Sequence, residues 1–206
     1  MQEKPFDQQK YFKDWLKFLD ENEIRFQLIT ASLYVTAYDL LIDTIIRKIE
    51  EFYIDGFDED GFIISKRYTT EVRGLFKKDI VIASSMWLLN NKVITEAEIE
   101  KIKIFKTHRN ELAHELSKMI TDSDANTKTD FIKEIRDIYF KIHKWWFIEF
   151  EVQINPDLSY LDTNKLNYDE VLMLQLLPMD YMLNIVNDEI KKRSFRKIKI
   201  QNDNKM

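Results

Sequence analysis

The sequence predicts an all-α protein, an up-and-down bundle of about five to seven helices. Two observations carry this. Gly and Pro occur only three times each in 206 residues, while helix formers abound. Apolar residues recur at three- and four-residue spacings over most of the chain.

From Phe6 to Leu19, Phe12, Trp15, Leu16 and Leu19 have helical spacing, and Asp20–Asn22 interrupts it. Glu23 to about Tyr53 is the longest helical pattern. Its apolar face, from Phe26 to Phe52, is broad enough for several packing partners, so it is expected at the centre. Asp39, Asp43 and Arg47 form a polar line along it. That line is either an exposed Asp43–Arg47 pair or the rim of an interface or active site.

Ile54–Gly74 is the least helical part, with Ser65–Thr70 expected to be extended. The acidic run Asp55–Gly61 invites a calcium-loop reading. Aligning Asp58 and Asp60 puts Gly56 at the first ligand position and Arg67 at the closing glutamate, which excludes an EF-hand. An acidic surface loop is expected instead.

Lys77–Leu89 reads as a helix with Ile80, Ala83, Ser84, Trp87 and Leu88 on one face, stopped by Asn90–Asn91. Thr95 and Glu98 have capping-box spacing and start the next helix, expected to end near Thr121. Asp122–Thr129 is a polar connection, and Lys128–Gln153 a further long helix. Asn155–Pro156–Asp157 is a turn. A last helix runs from Asn167 to about Arg193, with Pro178 expected to kink or split it. One bundle is expected over residues 1–154. Residues 155–206 form a helical extension packed on it, with a flexible tail beyond about 194.

The absence of cysteine excludes disulfides and thiolate metal sites. No metal or cofactor is expected. The net charge of −5 disfavours broad, charge-driven nucleic-acid binding but leaves room for a local basic site. The opening MQEKPFDQQK lacks the layout of a secretory leader, and no uncharged run is long enough for a membrane span. No membrane partner and a cytoplasmic location are expected. Trp87, Trp145 and Trp146 point to a bulky core or an oligomer interface.

Lys106–Glu115, reading KTHRNELAHE, holds two of the three histidines with an arginine and an amide. Around this helix Ile102, Phe105, Arg109, Leu112, Leu116 and Met119 form one stripe. Arg109 must therefore be paired or open onto a cleft. His114 lies with Lys103, Thr107 and Asn110 on the polar face. Five residues of ideal helix separate Arg109 from His114 by roughly 140°. They converge only if the helix breaks near Thr107–Asn110 or a second chain completes the site. The residues alone favour Arg109 snorkelling to a carboxylate and His114 as an ordinary surface histidine.

RNELAH, Arg109–His114, resembles the signature of the HEPN superfamily: an Arg, a spacer of about four to six residues of any type, and a His. Asn110 matches the polar residue common after the Arg. The context, a helix ending at LLNNKVIT before an acidic helix start at Glu96, is similar to small bacterial HEPN toxins. The resemblance covers about residues 23–153 and implies a HEPN-like bundle with metal-independent endoribonuclease activity. A ribose 2′-OH would attack the adjacent phosphate and leave a cyclic phosphate end. His114 would act as general base or acid, Arg109 would hold the phosphate, and Asn110 would orient either. It also implies an RNA substrate, a homodimer with two motifs facing one cleft, and an antitoxin or regulatory partner. Lys103, Lys106 and His108 are candidate substrate contacts, although a structural role suits His108 better. In toxins silenced by a nucleotidyltransferase antitoxin, a Tyr follows the His by two residues. Leu116 stands there, so that route is not expected. Lys191–Lys199 is a basic stretch, read as RNA contact or as a solvated helix end. Two further readings stay open: a non-catalytic binding module and a structural helical dimer.

Overall fold

Short side chains accepting backbone N–H bonds start the first five helices. The computed structural model describes residues 7–59, 61–158 and 160–203. Asp7 accepts from Gln9 and Lys10 and opens α1, Gln8–Leu19. Asp20 accepts from Asn22 and Glu23 and opens α2, Glu21–Phe52. Ser65 opens α3, Lys66–Glu71, and Asp79 opens α4, Ile80–Asn90. Thr95 and Glu98 form a complete capping box before α5, Glu96–His114. Each such cap contributes about 1 kcal/mol. There follow α6 (Leu116–Thr121), α7 (Asp130–Trp146), α8 (Val152–Ile154), α9 (Tyr168–Val171) and α10 (Met173–Asp203).

The fold is all-α apart from one small hairpin. The central helix is α2, which packs against α1, α4, α5, α6, α7 and α10. Its Tyr34, Leu41, Ile45 and Ile49 are fully buried in one core with Ile135, Ile138 and Ile142 of α7 and Leu176 and Met179 of α10. By length and composition α2 alone, among the described residues, could cross a membrane. Here it is the core helix. Helix α5 runs against α7, with Lys101 on Glu134, Glu98 on Lys141 and Phe105 on Phe131. Helix α10 also runs against α7: Arg136 binds Asp180, and the Tyr139 hydroxyl donates to the Gln175 carbonyl.

Several local expectations are corrected. Ser65–Thr70 is not extended, because Ser65 caps a helix there. The acidic loop is a hairpin of β1 (Ile54–Asp58) and β2 (Gly61–Ile64), with Phe57 opposite Phe62. Gly61, at φ 121°, makes its tight turn, and Asp60 lies outside the described residues. Helix α4 is buried nearly all round rather than on one face. After it, Lys92 rather than an asparagine takes the left-handed conformation, at φ 60°. The bonds from Lys92 N–H to Leu89 O and from Val93 N–H to Leu88 O complete a Schellman cap. The long helix from α7 passes through a π turn at Phe147–Glu151 before α8. The last helix breaks at buried Leu172, not at Pro178, which sits inside the early turns of α10. It also continues past Arg193 to Asp203, so the stretch beyond 194 is helical up to that point. Residues 204–206 of the expected flexible tail, and Phe6 at the expected start of the first helix, lie outside the described residues.

Helix α1 is docked by its polar side. Lys10 binds Asp122 and Asp124, and Asp14 accepts from the Ser123 N–H at 2.7 Å. Lys17 donates to the carbonyls of Asp122 and Ala125. Phe12, Leu16 and Leu19 face solvent, and α1 has no buried residue.

Candidate functional site

The motif helix is locked on its inner side. The Tyr34 hydroxyl donates to the Phe105 carbonyl at 2.9 Å, and the Tyr34 ring meets His108 edge-on at 4.7 Å. Burial pushes the Tyr34 hydroxyl well above its usual range, so it stays a protonated donor. His108 is 1 % exposed. Its Nε2 accepts from the Lys128 backbone N–H at 3.0 Å, and its Nδ1 faces Glu111 Oε2 at 3.1 Å. Since Nε2 accepts, the neutral ring carries its proton on Nδ1 and donates it to Glu111. Burial, aided by the Lys128 charge, holds His108 below the usual histidine range against the pull of Glu111. His108 thus joins α5 to the start of α7 through Lys128.

Lys106 binds Asp79, whose other carboxylate oxygen caps α4. Burial opposes ionisation of Asp79, but Lys106 and the two capping N–H groups outweigh it and hold the carboxyl below its usual range. Lys103 binds Glu100 on the same helix at 2.6 Å. Both lysines are therefore partnered.

The three residues of the RNELAH signature lie on the outer side. Arg109 is half-buried, and its Nε stands 3.5 Å from Asp39 Oδ1, so one member of the α2 polar line reaches the motif. Asp43 pairs instead with Arg47, at 2.7 Å. The Arg109–Asp39 contact is long and solvent-reached, which makes it weak and displaceable. Asn110 and His114 are exposed and have no hydrogen-bond or ion-pair partner among the described residues, including each other.

Helix α5 is unbroken across Thr107–Asn110. Its break comes at Glu115, at φ −123° and ψ 29°, directly after His114. The roughly 140° between Arg109 and His114 therefore stands. The break also turns Leu116 outward, to 38 % exposure, while Met119 stays buried. Behind the motif, α5, α6 and the 122–128 connection enclose a cleft of about 420 Å³. Glu111, Glu115, Asp122 and Asp124 line it against Lys118 and Lys128. Lys10 takes up Asp122 and Asp124, and Lys118 takes up Glu115, so most of these acids are already partnered. Among the described residues, no group of three or more His, Asp or Glu side chains is placed to hold a metal ion.

Asp39 is the motif neighbour that helical spacing within α5 could not reveal. Its only sequence signal is its place in the Asp39–Asp43–Arg47 line. The C-terminal basic stretch contributes an internal contact, with Arg193 binding Glu23 of α2 at 2.6 Å, while Phe195 is exposed.

Comparison with protein-family models, curated proteins and solved structures finds no match.

Proposed function

We propose that this chain is a metal-independent endoribonuclease of HEPN type, acting as a toxin or defence effector, whose site is assembled by two copies. The observation that carries the reading is an accessible Arg109, Asn110 and His114 on one rigid helix, with Arg109 held only loosely by Asp39. A straight helix cannot aim Arg109 and His114 of one chain at one phosphate. Two copies meeting over the motif supply an arginine and a histidine from different chains. Phosphate displaces Asp39 from Arg109 and takes a charge-assisted bond from the guanidinium. His114 accepts the ribose 2′-OH proton as the oxygen attacks phosphorus, and the 5′ oxygen leaves as a hydroxyl with a proton from water. Arg109 then stabilises the charge gathering on the phosphoryl oxygens. Asn110, one turn before His114, orients the ring or a phosphate oxygen.

The test is digestion of total cellular RNA in the presence of a chelator. Wild type cuts and leaves cyclic phosphate ends, whereas Arg109→Ala and His114→Ala, both folded, do not. Failure of wild type to cut any RNA removes the proposal.

A second reading is a non-catalytic module that binds RNA, a nucleotide or a protein partner. It is favoured by the Asp39 carboxylate beside Arg109, which a phosphate has to displace. Saturable ligand binding without turnover selects it.

A further inference from the structure

At the far end of α5 from the motif, the aromatic residues of α2, α4 and the π turn leave an open cleft of about 440 Å³. Trp87 and Phe150 are among its lining residues. Phe52 stands 5.1 Å from Phe150 and 5.9 Å from Trp87. Trp145 stands 5.2 Å from Phe150, at 69°, and 5.9 Å from Trp87, at 83°. Phe52 and Trp145 thus share Trp87 and Phe150 as aromatic neighbours, and both line the cleft. Trp87 is fixed from behind by stacking on Trp146 at 6.1 Å and 10°. Its Nε1 also donates to the Tyr53 hydroxyl, which in turn donates to Glu71.

Two carboxylates reach this cleft. Glu71 is taken up by Arg67, which binds it through Nε and Nη2 and lies 5.8 Å over the Tyr53 ring. One end of the cleft therefore already holds a cation against an aromatic face. Glu149 also lines the cleft, is exposed, and has no hydrogen-bond or ion-pair partner among the described residues. Arg67 cancels Glu71, so Glu149 leaves one unbalanced negative charge in a cleft that Phe52 and Trp145 also line. The π turn at Phe147–Glu151 is what sets Glu149 and Phe150 together on the rim.

We infer that this cleft is a binding site for an organic cation of the methylated or quaternary ammonium class, held between Phe52 and Trp145 with Glu149 as its counter-charge. Ring faces carry negative potential and attract a cation within about 6 Å of their centroids. Methylated nitrogen suits such walls because it gives up little hydration on leaving water. The site is separate from the motif face and does not depend on the nuclease reading.

The test is titration with choline chloride, followed by tryptophan fluorescence. The neutral isostere 3,3-dimethylbutan-1-ol serves as the control. Choline should give a saturable change, and the isostere should bind at least about fivefold more weakly. Glu149→Gln, an exposed and fold-neutral change, should weaken choline by a similar factor. The response should persist in Trp15→Phe and vanish in Trp145→Leu, with circular dichroism confirming the fold of each. Equal binding of choline and the isostere overturns the proposal, as does an unchanged affinity in Glu149→Gln. Absence of saturation up to about 50 mM also overturns it, since that corresponds to less than 2 kcal/mol of binding.

Discussion

His108 Nε2 accepts the backbone N–H of Lys128 at 3.0 Å, so a buried histidine pins the motif helix to the start of α7. Removing the ring leaves a cavity beside Tyr34 and Phe131 and orphans the Lys128 N–H. His108→Ala should cost about 2–4 kcal/mol of stability, read as a lowered denaturant midpoint. Chelator-resistant RNA cleavage, measured below the unfolding transition, should survive.

His143 sets an acid limit. It is 8 % exposed, and its Nε2 has no partner. Burial, with Lys48 adding to it, lowers its pKa to about 4. Above pH about 6.5 the group is neutral in both folded and unfolded chains. As the pH falls below that, the unfolded chain takes up a proton that the folded one refuses, and stability declines until about pH 4. The loss should reach about 3 kcal/mol, and His143→Leu should flatten the profile between these limits. His108, also lowered by burial, adds in the same direction.

A site shared between copies has a genetic signature. Arg109→Ala and His114→Ala should each be inactive alone. Mixed after unfolding and refolding, half of the dimers pair one variant with the other, and one of their two sites is intact. Activity should return to about a quarter of wild type. A mixture that stays inactive removes the shared-site model.

Helix α1 is held by charges on its inner side, so salt should release it while the apolar core is unaffected. At about 1 M salt the screening length is about 3 Å. Hydrogen exchange of α1 amides should then accelerate several-fold, with Tyr34–Ile49 amides unchanged. Equal exchange at low and high salt contradicts electrostatic docking.

Lys92 is the sole non-glycine residue with positive φ among the described residues. Lys92→Gly should raise stability by about 1 kcal/mol, read as a higher melting temperature.

Features set by neighbours in sequence were legible. Thr95 and Glu98 announce their capping box because both partners lie within one turn. The broad apolar face of α2 announces a core helix for a similar reason. Features set by distant partners were not. The apolar stripe of α1 has inward spacing, yet it faces out because the carboxylates and carbonyls of residues 122–125 capture Lys10 and Lys17. The hairpin was hidden because Phe57 and Phe62 pair across it while both remain exposed. Within the candidate site, the phase difference between Arg109 and His114 was readable, since an unbroken helix fixes it. Asp39 beside Arg109 was not, because it depends on how α2 and α5 cross.

The placement of α2 also governs how the chain can mature on the ribosome. Its long core helix is finished by Phe52, but the α7 and α10 surfaces that cover it end only at Trp146 and Asp203. At ordinary synthesis speeds, the interval before α10 emerges is about 10 to 30 s. Throughout that interval a long greasy helix stands half-clothed beside the exit tunnel. Yield from cells should therefore respond to chaperone supply more strongly than the stability of the finished protein would suggest.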